Sequence, residues 1–341
     1  MSERATVIQS RRRRTISTVL SEADDALRKG LSPAAEVWPT GFDVLDRALS
    51  GGLRSGELVV VAGAQGQGKT TFVVQALRTA ALSGRQAIMF SYEHESGTLL
   101  ERLLALEAAE LAESPGLAPG VHGIRRVLEE QQGTPSSMRT AMSHLPYGPG
   151  ALLALEQYAD RLSVHESNAG TDLAAIETVI AEMTAANGEP PIVAIDYVQK
   201  VPVPVTGGEE EQVAIIAEAL KDLALDVGCP IIAISAAQTD SLASGHRMRA
   251  HDLRGASSLA YEADVIIVLS SKEEIVSREH LVYDLSRMQQ YRGWSVFSIE
   301  KNRHGADNVD LEFPKDFANG RYVPFGGIVQ ERLIEERVIT R

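Results

Sequence analysis

Residues 57–71 read Glu57-Leu-Val-Val-Val-Ala-Gly63-Ala-Gln-Gly-Gln-Gly-Lys69-Thr70-Thr71. The apolar run before Gly63 is a buried strand, and Thr71-Phe-Val-Val-Gln-Ala-Leu77 continues as a helix. Between them stands Gly-x-x-x-x-Gly-Lys-Thr, the loop that cradles the phosphates of a nucleoside triphosphate. Gly63, Gly66 and Gly68 let the backbone curl with its amides pointing inward, while Ala64, Gln65 and Gln67 fill the intervening positions. Lys69 reaches the β and γ phosphates, and the Thr70 hydroxyl is placed to ligate Mg²⁺. Thr71 continues the helix start, whose positive end lies under the anion. The loop therefore predicts a bound nucleoside triphosphate and Mg²⁺.

Working outward, the chain has 341 residues, 44% of them hydrophobic and 23% charged, which suits one large α/β domain with additions or two smaller ones. No apolar stretch is long enough to span a bilayer, and Arg11–Arg14 stand where a secretory signal would be apolar. The lone cysteine, Cys229, precedes an apolar strand and is expected to be a small buried residue, not part of a disulfide or metal cluster. These features point to the cytoplasm. A formal net charge of −13 argues against an evenly basic nucleic-acid-binding surface, though a ring can be acidic outside and basic in its channel.

Residues 1–17 form a basic, polar tail expected to be disordered, and 18–29 a short helix ended by Gly30 and Pro33, so that 18–32 is a separate helical segment. From 33 to 330 strands and helices alternate. Strands are expected at 57–62, 86–92, 161–165, 191–196, 230–235, 263–269 and 295–300, and helices at 69–82, 97–112, 171–186 and 210–226. Continuous apolar strands between helices of this length predict an α/β fold with a mostly parallel sheet, and 295–326 adds antiparallel edge strands. Four Pro/Gly punctuations between 113 and 150 mark a surface insertion, with a helix at 123–132. Residues 331–341 are a C-terminal tail.

Ligands of parallel α/β sheets sit at the carboxyl ends of strands. Asp196, ending Ile192-Val-Ala-Ile-Asp196, stands at that end to hold Mg²⁺ opposite Thr70. Glu93, ending a second strand, is a carboxylate that could orient and deprotonate the attacking water; Glu95 lies past the strand end and His94 is a loop residue. Gln238, after the strand ending at Ser235, is a candidate γ-phosphate sensor. The loop that follows carries Arg247 and Arg249, then Arg254-Gly255; it is either a ligand-gated contact for a nucleic-acid backbone or a solvated mobile loop. Lys301-Asn-Arg303 follows a strand and lies too far along the chain to be assigned to its own site. The pair is either two surface cations or, in an oligomer, a reach to the next subunit's γ-phosphate.

Taken together, Pro39-Thr-Gly-Phe-Asp-Val-Leu-Asp46, Gly51-Gly-Leu-Arg-Ser-Gly-Glu57, the phosphate loop, Ser91-Tyr-Glu93, Ile195-Asp-Tyr-Val-Gln199, Asp252-Leu-Arg-Gly-Ala-Ser257 and Lys301-Asn-Arg-His-Gly305 resemble the C-terminal motor domain of bacterial replicative helicases of the DnaB type, within the RecA-like ATPases. The resemblance implies a homohexameric ring that hydrolyses ATP and threads single-stranded DNA. It implies Glu93 as the catalytic carboxylate, Lys301 and Arg303 acting in trans with Arg303 as the arginine finger, Arg254 and Gly255 in a channel loop, and 18–29 as a linker helix docked on the adjacent subunit. The chain departs from the pattern at Ser235-Ala-Ala-Gln-Thr239, where the family has Ser-Gln-Leu-Asn-Arg. The family's sensing glutamine falls at Ala236, so either Gln238 substitutes or the coupling is weakened. Glu209-Glu-Glu211 would repel DNA if it faced a channel, and the length leaves no room for the N-terminal helical domain of replicative members. An alternative is a RecA-like ATPase that regulates, loads or assembles a protein partner, bound through the tail or the 113–150 insertion.

Overall fold

A computed structural model of the chain describes residues 14–32, 34–133, 135–204, 207–237, 247–276 and 285–334. After helix α1 (Ile16–Arg28) come β1 (Val37–Trp38), α2 (Asp43–Ala48), β2 (Leu53–Arg54), β3 (Leu58–Gly63), α3 (Lys69–Leu82), β4 (Ala87–Ser91) and α4 (Ser96–Leu111). Three helices follow, α5 (Gly120–Glu130), α6 (Met138–Met142) and α7 (Gly148–Glu156). Then come β5 (Leu162–Glu166), α8 (Leu173–Asn187), β6 (Ile192–Asp196), α9 (Glu209–Val227), β7 (Ile231–Ala236), α10 (Ala256–Glu262) and β8 (Val265–Ser271). The chain closes with α11 (Lys272–Ile275), α12 (Leu285–Arg292), β9 (Trp294–Asn302), β10 (Val309–Asp316), β11 (Arg321–Tyr322) and β12 (Gly327–Ile328).

Ten strands form one sheet in the order β11-β10-β9-β8-β3-β7-β6-β4-β5, with β12 paired to β10. From β8 to β5 the strands are parallel, and β9 to β12 are antiparallel. The α/β reading and the antiparallel C-terminal edge are both present. The two-residue period of a strand explains why β3 is apolar throughout. Val59 and Val61 face the core shared with α3 and α4, and Val60 and Ala62 face the core beneath α9 and α10. Cys229 is buried at the start of β7, and burial pushes its thiol up to about 12.

The expected insertion is helical, and its helix begins at Gly120, not 123. It does more than decorate the surface. Ile124, Val127, Ala141, Met142 and Leu145 join the core that contains Leu103 and Leu104 of α4. Helix α1, by contrast, buries no residue; Ile16, Leu20 and Leu27 are exposed. Among the described residues no helix is long and apolar enough to cross a membrane.

An aromatic cluster braces the phosphate loop from behind. Phe72, on the first turn of α3, meets Phe297 at 5.2 Å between ring centroids, and Phe297 meets Tyr322 at 5.1 Å. The Tyr322 hydroxyl donates to the Gln67 carbonyl at 2.6 Å, and Gln75 of α3 exchanges hydrogen bonds with the Tyr322 backbone at 3.0 and 2.7 Å. The antiparallel edge is thereby fastened to the loop it never follows in sequence.

Candidate nucleotide site

Parallel pairing brings the chemistry to one end of the parallel strands. Gly63 is level with Ala236, and Asp196 pairs with Ser91, two residues before Glu93. Loop residues Gly63, Gln65, Gly66, Gly68, Lys69, Thr70 and Thr71 line a cleft of about 740 Å³ with Glu93, His94 and Asp196. Gly68 caps α3 at φ 78°, and a Cβ there would come within 2.5 Å of the Phe317 ring. A Cβ on Gly63 would stand 2.5 Å from the Leu269 carbonyl oxygen. Both glycines are required by close approach as well as by the turn.

Lys69 Nζ donates to the carbonyls of Gly63 and Ala64 at 2.7 and 3.0 Å, so the ammonium arches over the loop. Burial lowers its pKa, opposed by the charges of Asp196 and Glu93. Thr70 Oγ1 donates to Asp196 Oδ2 at 2.7 Å. Asp196 is 1% exposed, and desolvation, with Glu93 adding repulsion, pushes its carboxyl up to about 6 against the Thr70 hydrogen bond. Glu93, His94 and Asp196 each bring a ligand atom within 4.8 Å of the others. A hydroxyl beside a buried carboxylate, with further oxygen donors in reach, fits the hard-donor preference of Mg²⁺.

Several cleft residues were invisible to sequence reasoning. Arg102 of α4 lines the cleft half-buried, and among the described residues its guanidinium has no hydrogen-bond or ion-pair partner. Arg125 and Val121 of α5, and Phe317 and Gly320 from the C-terminal edge, line it too. Tertiary packing alone brings these segments together, and no local pattern marks them. Gln199, quoted only within the Ile-Asp-Tyr-x-Gln motif, proves to be a bridge. Its Nε2 donates to Ser235 Oγ at 2.9 Å and the Arg254 carbonyl at 3.3 Å, and its Oε1 accepts from the Ala236 amide at 3.3 Å. It thus joins the Asp196 strand end to the loop beyond β7.

That loop requires corrections. Gln238 lies outside the described residues, and Ala236 itself lines the cleft. Arg247, expected on a DNA-facing loop, is 5% exposed and spends its guanidinium on Asp310 and on Ser298 Oγ at 3.0 Å. A buried, paired cation cannot leave for a phosphate backbone without stranding its carboxylate partner. Gly255, expected in a channel-lining loop, is buried at the start of α10 with φ 74°, where a Cβ would collide with Val213. It is a packing glycine. Arg249 pairs with Glu300 at 2.8 Å. Arg254 donates to the Ala237 carbonyl at 3.2 Å, pairs with Glu209 at 3.3 Å, and lines the nucleotide cleft. Glu209 and Glu210 therefore serve as partners within the subunit, for Arg254 and for Ser257 Oγ at 2.7 Å.

Lys301 and Arg303 sit toward the other end of the parallel strands. Lys301 pairs with Ile266 near the start of β8, whereas the phosphate loop lies level with Leu269 near its end. Lys301 Nζ donates to the Ala260 and Tyr261 carbonyls at 2.7 and 3.1 Å, and Arg303 Nη2 to the Tyr261 carbonyl at 3.0 Å. Arg303 Nη1 lies 3.5 Å from Asp264, whose other oxygen accepts from Lys221 Nζ at 2.6 Å and the Leu58 amide at 2.8 Å.

Beside this cluster Glu57 is 3% exposed, and desolvation, with Asp264 nearby, pushes its carboxyl up to about 7. Because the folded value exceeds the ordinary one, its stabilising effect is complete below about pH 4.5 and is lost as pH rises through about 7. Glu57→Gln should leave stability nearly unchanged near pH 4.5 and raise it by on the order of 1–3 kcal/mol at pH 8. Urea unfolding at the two pH values checks this; a larger loss at pH 8 than at pH 4.5 would refute the sign.

Comparison with known proteins agrees with this fold. The family described as DnaB-like helicase C terminal domain matches residues 38–115 and 151–320. The replicative DNA helicase DnaB of Rhodothermus marinus is 27% identical over 266 residues, covering 76% of this chain and 25% of the relative. That of Pasteurella multocida (strain Pm70) is 25% identical over 302 residues, covering 87% of this chain and 56% of the relative. The chain thus spans about half or less of the length of these relatives. Among solved structures, a DnaB-like replicative helicase, described with its interactions with primase, superposes with a TM-score of 0.66 at 20% identity, covering 91% of this chain and 68% of that one. The family match spans most of the chain and takes in the phosphate loop, and the chain belongs to the DnaB-like helicase C-terminal domain family.

Proposed function

We propose that the chain is the ATP-hydrolysing motor of a homohexameric ring that translocates on single-stranded DNA or unwinds duplex DNA. The observation that carries this reading is the split of the site. The phosphate loop, Glu93 and Asp196 lie toward one end of the parallel strands and Lys301 and Arg303 toward the other, which supports completion of each site by a neighbouring copy. The loop amides and Lys69 hold the β and γ phosphates, and Thr70 and Asp196 would hold Mg²⁺, which would supply charge neutralisation at the phosphates. Glu93 orients the attacking water and takes its proton. Arg102 faces the phosphates from α4. Lys301 and Arg303 of the next subunit stabilise the charge of the transferred phosphoryl group, Arg303 as the arginine finger. The exposed apolar face of α1 supports its docking on that neighbour.

Arg249 and Arg254 are partly exposed and remain proposed DNA contacts. Their pairing with Glu300 and Glu209, together with the net charge of −13, favours a second reading in which ATP turnover acts on a protein partner. The two separate by experiment. For a DNA motor, single-stranded DNA should stimulate ATP hydrolysis, and its binding should weaken steeply between about 50 and 200 mM salt. Neither stimulation nor binding at low salt would remove the DNA reading and leave the partner one.

A further inference from the structure

The segment 116–150 falls outside the family match, yet its first helix reaches the nucleotide cleft. Helix α5 is oriented by its apolar face: Ile124 and Val127 are buried in the core shared with α4. Its start is held against the C-terminal edge, where a Cβ on Gly120 would stand 2.8 Å from the Ala318 carbonyl oxygen. One turn apart on the neighbouring face, Val121 and Arg125 line the cleft. Arg125 is held at the rim by Glu101, to which Nε and Nη2 donate at 2.9 and 2.8 Å, with 45% of its side chain exposed. Next to Glu101 on α4 is Arg102, the half-buried cleft guanidinium without a partner among the described residues. Burial and the charge of Arg125 lower the Arg102 pKa, opposed by the charges of Asp196 and Glu101, so the two cations feel each other. Two guanidiniums lining one cleft that also holds Lys69 form an arrangement that an added anion would relieve.

We infer that Arg125 is a nucleotide-binding residue acting in cis: it leaves Glu101 and, with Arg102, closes on the terminal phosphate of a nucleoside triphosphate held by the loop of its own subunit. This rests on the reading of the cleft as an ATP site. The exchange is favourable because Arg125, unlike the buried Arg247, is 45% exposed, so its pair with the 16% exposed Glu101 contributes less than a guanidinium fork on a phosphate, which makes charge-assisted, bidentate hydrogen bonds. The consequence is a chain that tells triphosphate from diphosphate before any neighbour supplies Arg303.

Fluorescence titration of the full chain with N-methylanthraniloyl-labelled ADP and a labelled non-hydrolysable ATP analogue tests this. In an Arg303→Ala background, adding Arg125→Ala should weaken triphosphate binding about tenfold and change diphosphate binding by less than about twofold. Arg125→Lys should fall between, and Glu101→Gln, which frees Arg125, should tighten triphosphate binding. Equal loss for both nucleotides, or no loss for either, would overturn the inference while leaving the ATP site intact. Failure of the otherwise unaltered chain to bind either nucleotide, or full binding by Lys69→Ala, would instead overturn the ATP-site reading and the inference with it.

Discussion

Replacing Glu93 with glutamine is expected to lower ATP turnover by about 10²- to 10⁴-fold, the range for loss of a positioned general base, with nucleotide binding retained. The substitution keeps the size of the side chain and a hydrogen-bonding oxygen, but an amide cannot accept the proton of the attacking water. Binding should survive because the groups proposed to hold the phosphates, Lys69 and the loop from Gly63 to Thr70, do not rely on Glu93 for a hydrogen bond. Glu93 raises the Asp196 pKa by repulsion, so its neutralisation should also lower the pH below which Mg²⁺ must displace a proton. Glu95→Gln is the control: Glu95 precedes α4 and is not among the cleft-lining residues, so turnover should persist. Steady-state phosphate release together with analogue binding measures both. Ordinary turnover in Glu93→Gln would move the base to another residue and refute the assignment.

The legible part of the molecule is that in which chemistry and backbone are neighbours in sequence. Gly63 to Thr70 specify a turn, a helix start and an anion cradle within eight residues, so local physics suffices. Asp196 and Glu93 were legible because a parallel sheet aligns strand ends: Asp196 closes the otherwise apolar β6, and Glu93 follows β4 by two residues. What pattern could not supply is pairing across the chain. Arg247 lies near a Gly/Ser-rich stretch and reads as exposed. Its partners Ser298 and Asp310 come from two antiparallel strands 51 and 63 residues later, and nothing near Arg247 announces them. Arg102 fails in the opposite direction: on a helix it reads as one more solvated cation, and only the fold of α4 over the sheet turns it toward Asp196. Gly255 looked like backbone offered to a ligand, but the constraint comes from Val213 pressing on it.

Arg303 carries the other large effect. Arg303→Ala should lower turnover about 10³- to 10⁵-fold, the range for a trans-acting arginine that meets transition-state charge. Stability should change little, because its pair with Asp264 is 3.5 Å long and 47% of its side chain is exposed, and such pairs are worth about 0–1 kcal/mol. Loss of activity alone would not distinguish action in trans from an indirect effect within the subunit, but mixing does. An Arg303→Ala subunit retains its own phosphate loop, and a Lys69→Ala subunit retains its finger. When the second follows the first around a ring, one intact site is restored at their interface. Random assortment of equal amounts makes about a quarter of the interfaces of this kind, so a comparable fraction of activity should return if sites fire independently, and less if they are coupled. Lys301→Ala subunits should complement Lys69→Ala in the same way, since Lys301 shares the Tyr261 carbonyl with Arg303. Absence of recovery at every ratio, in mixtures whose co-assembly is confirmed by pull-down through a tag on one subunit, would place Arg303 outside the neighbour's site and remove the main support for a shared active site.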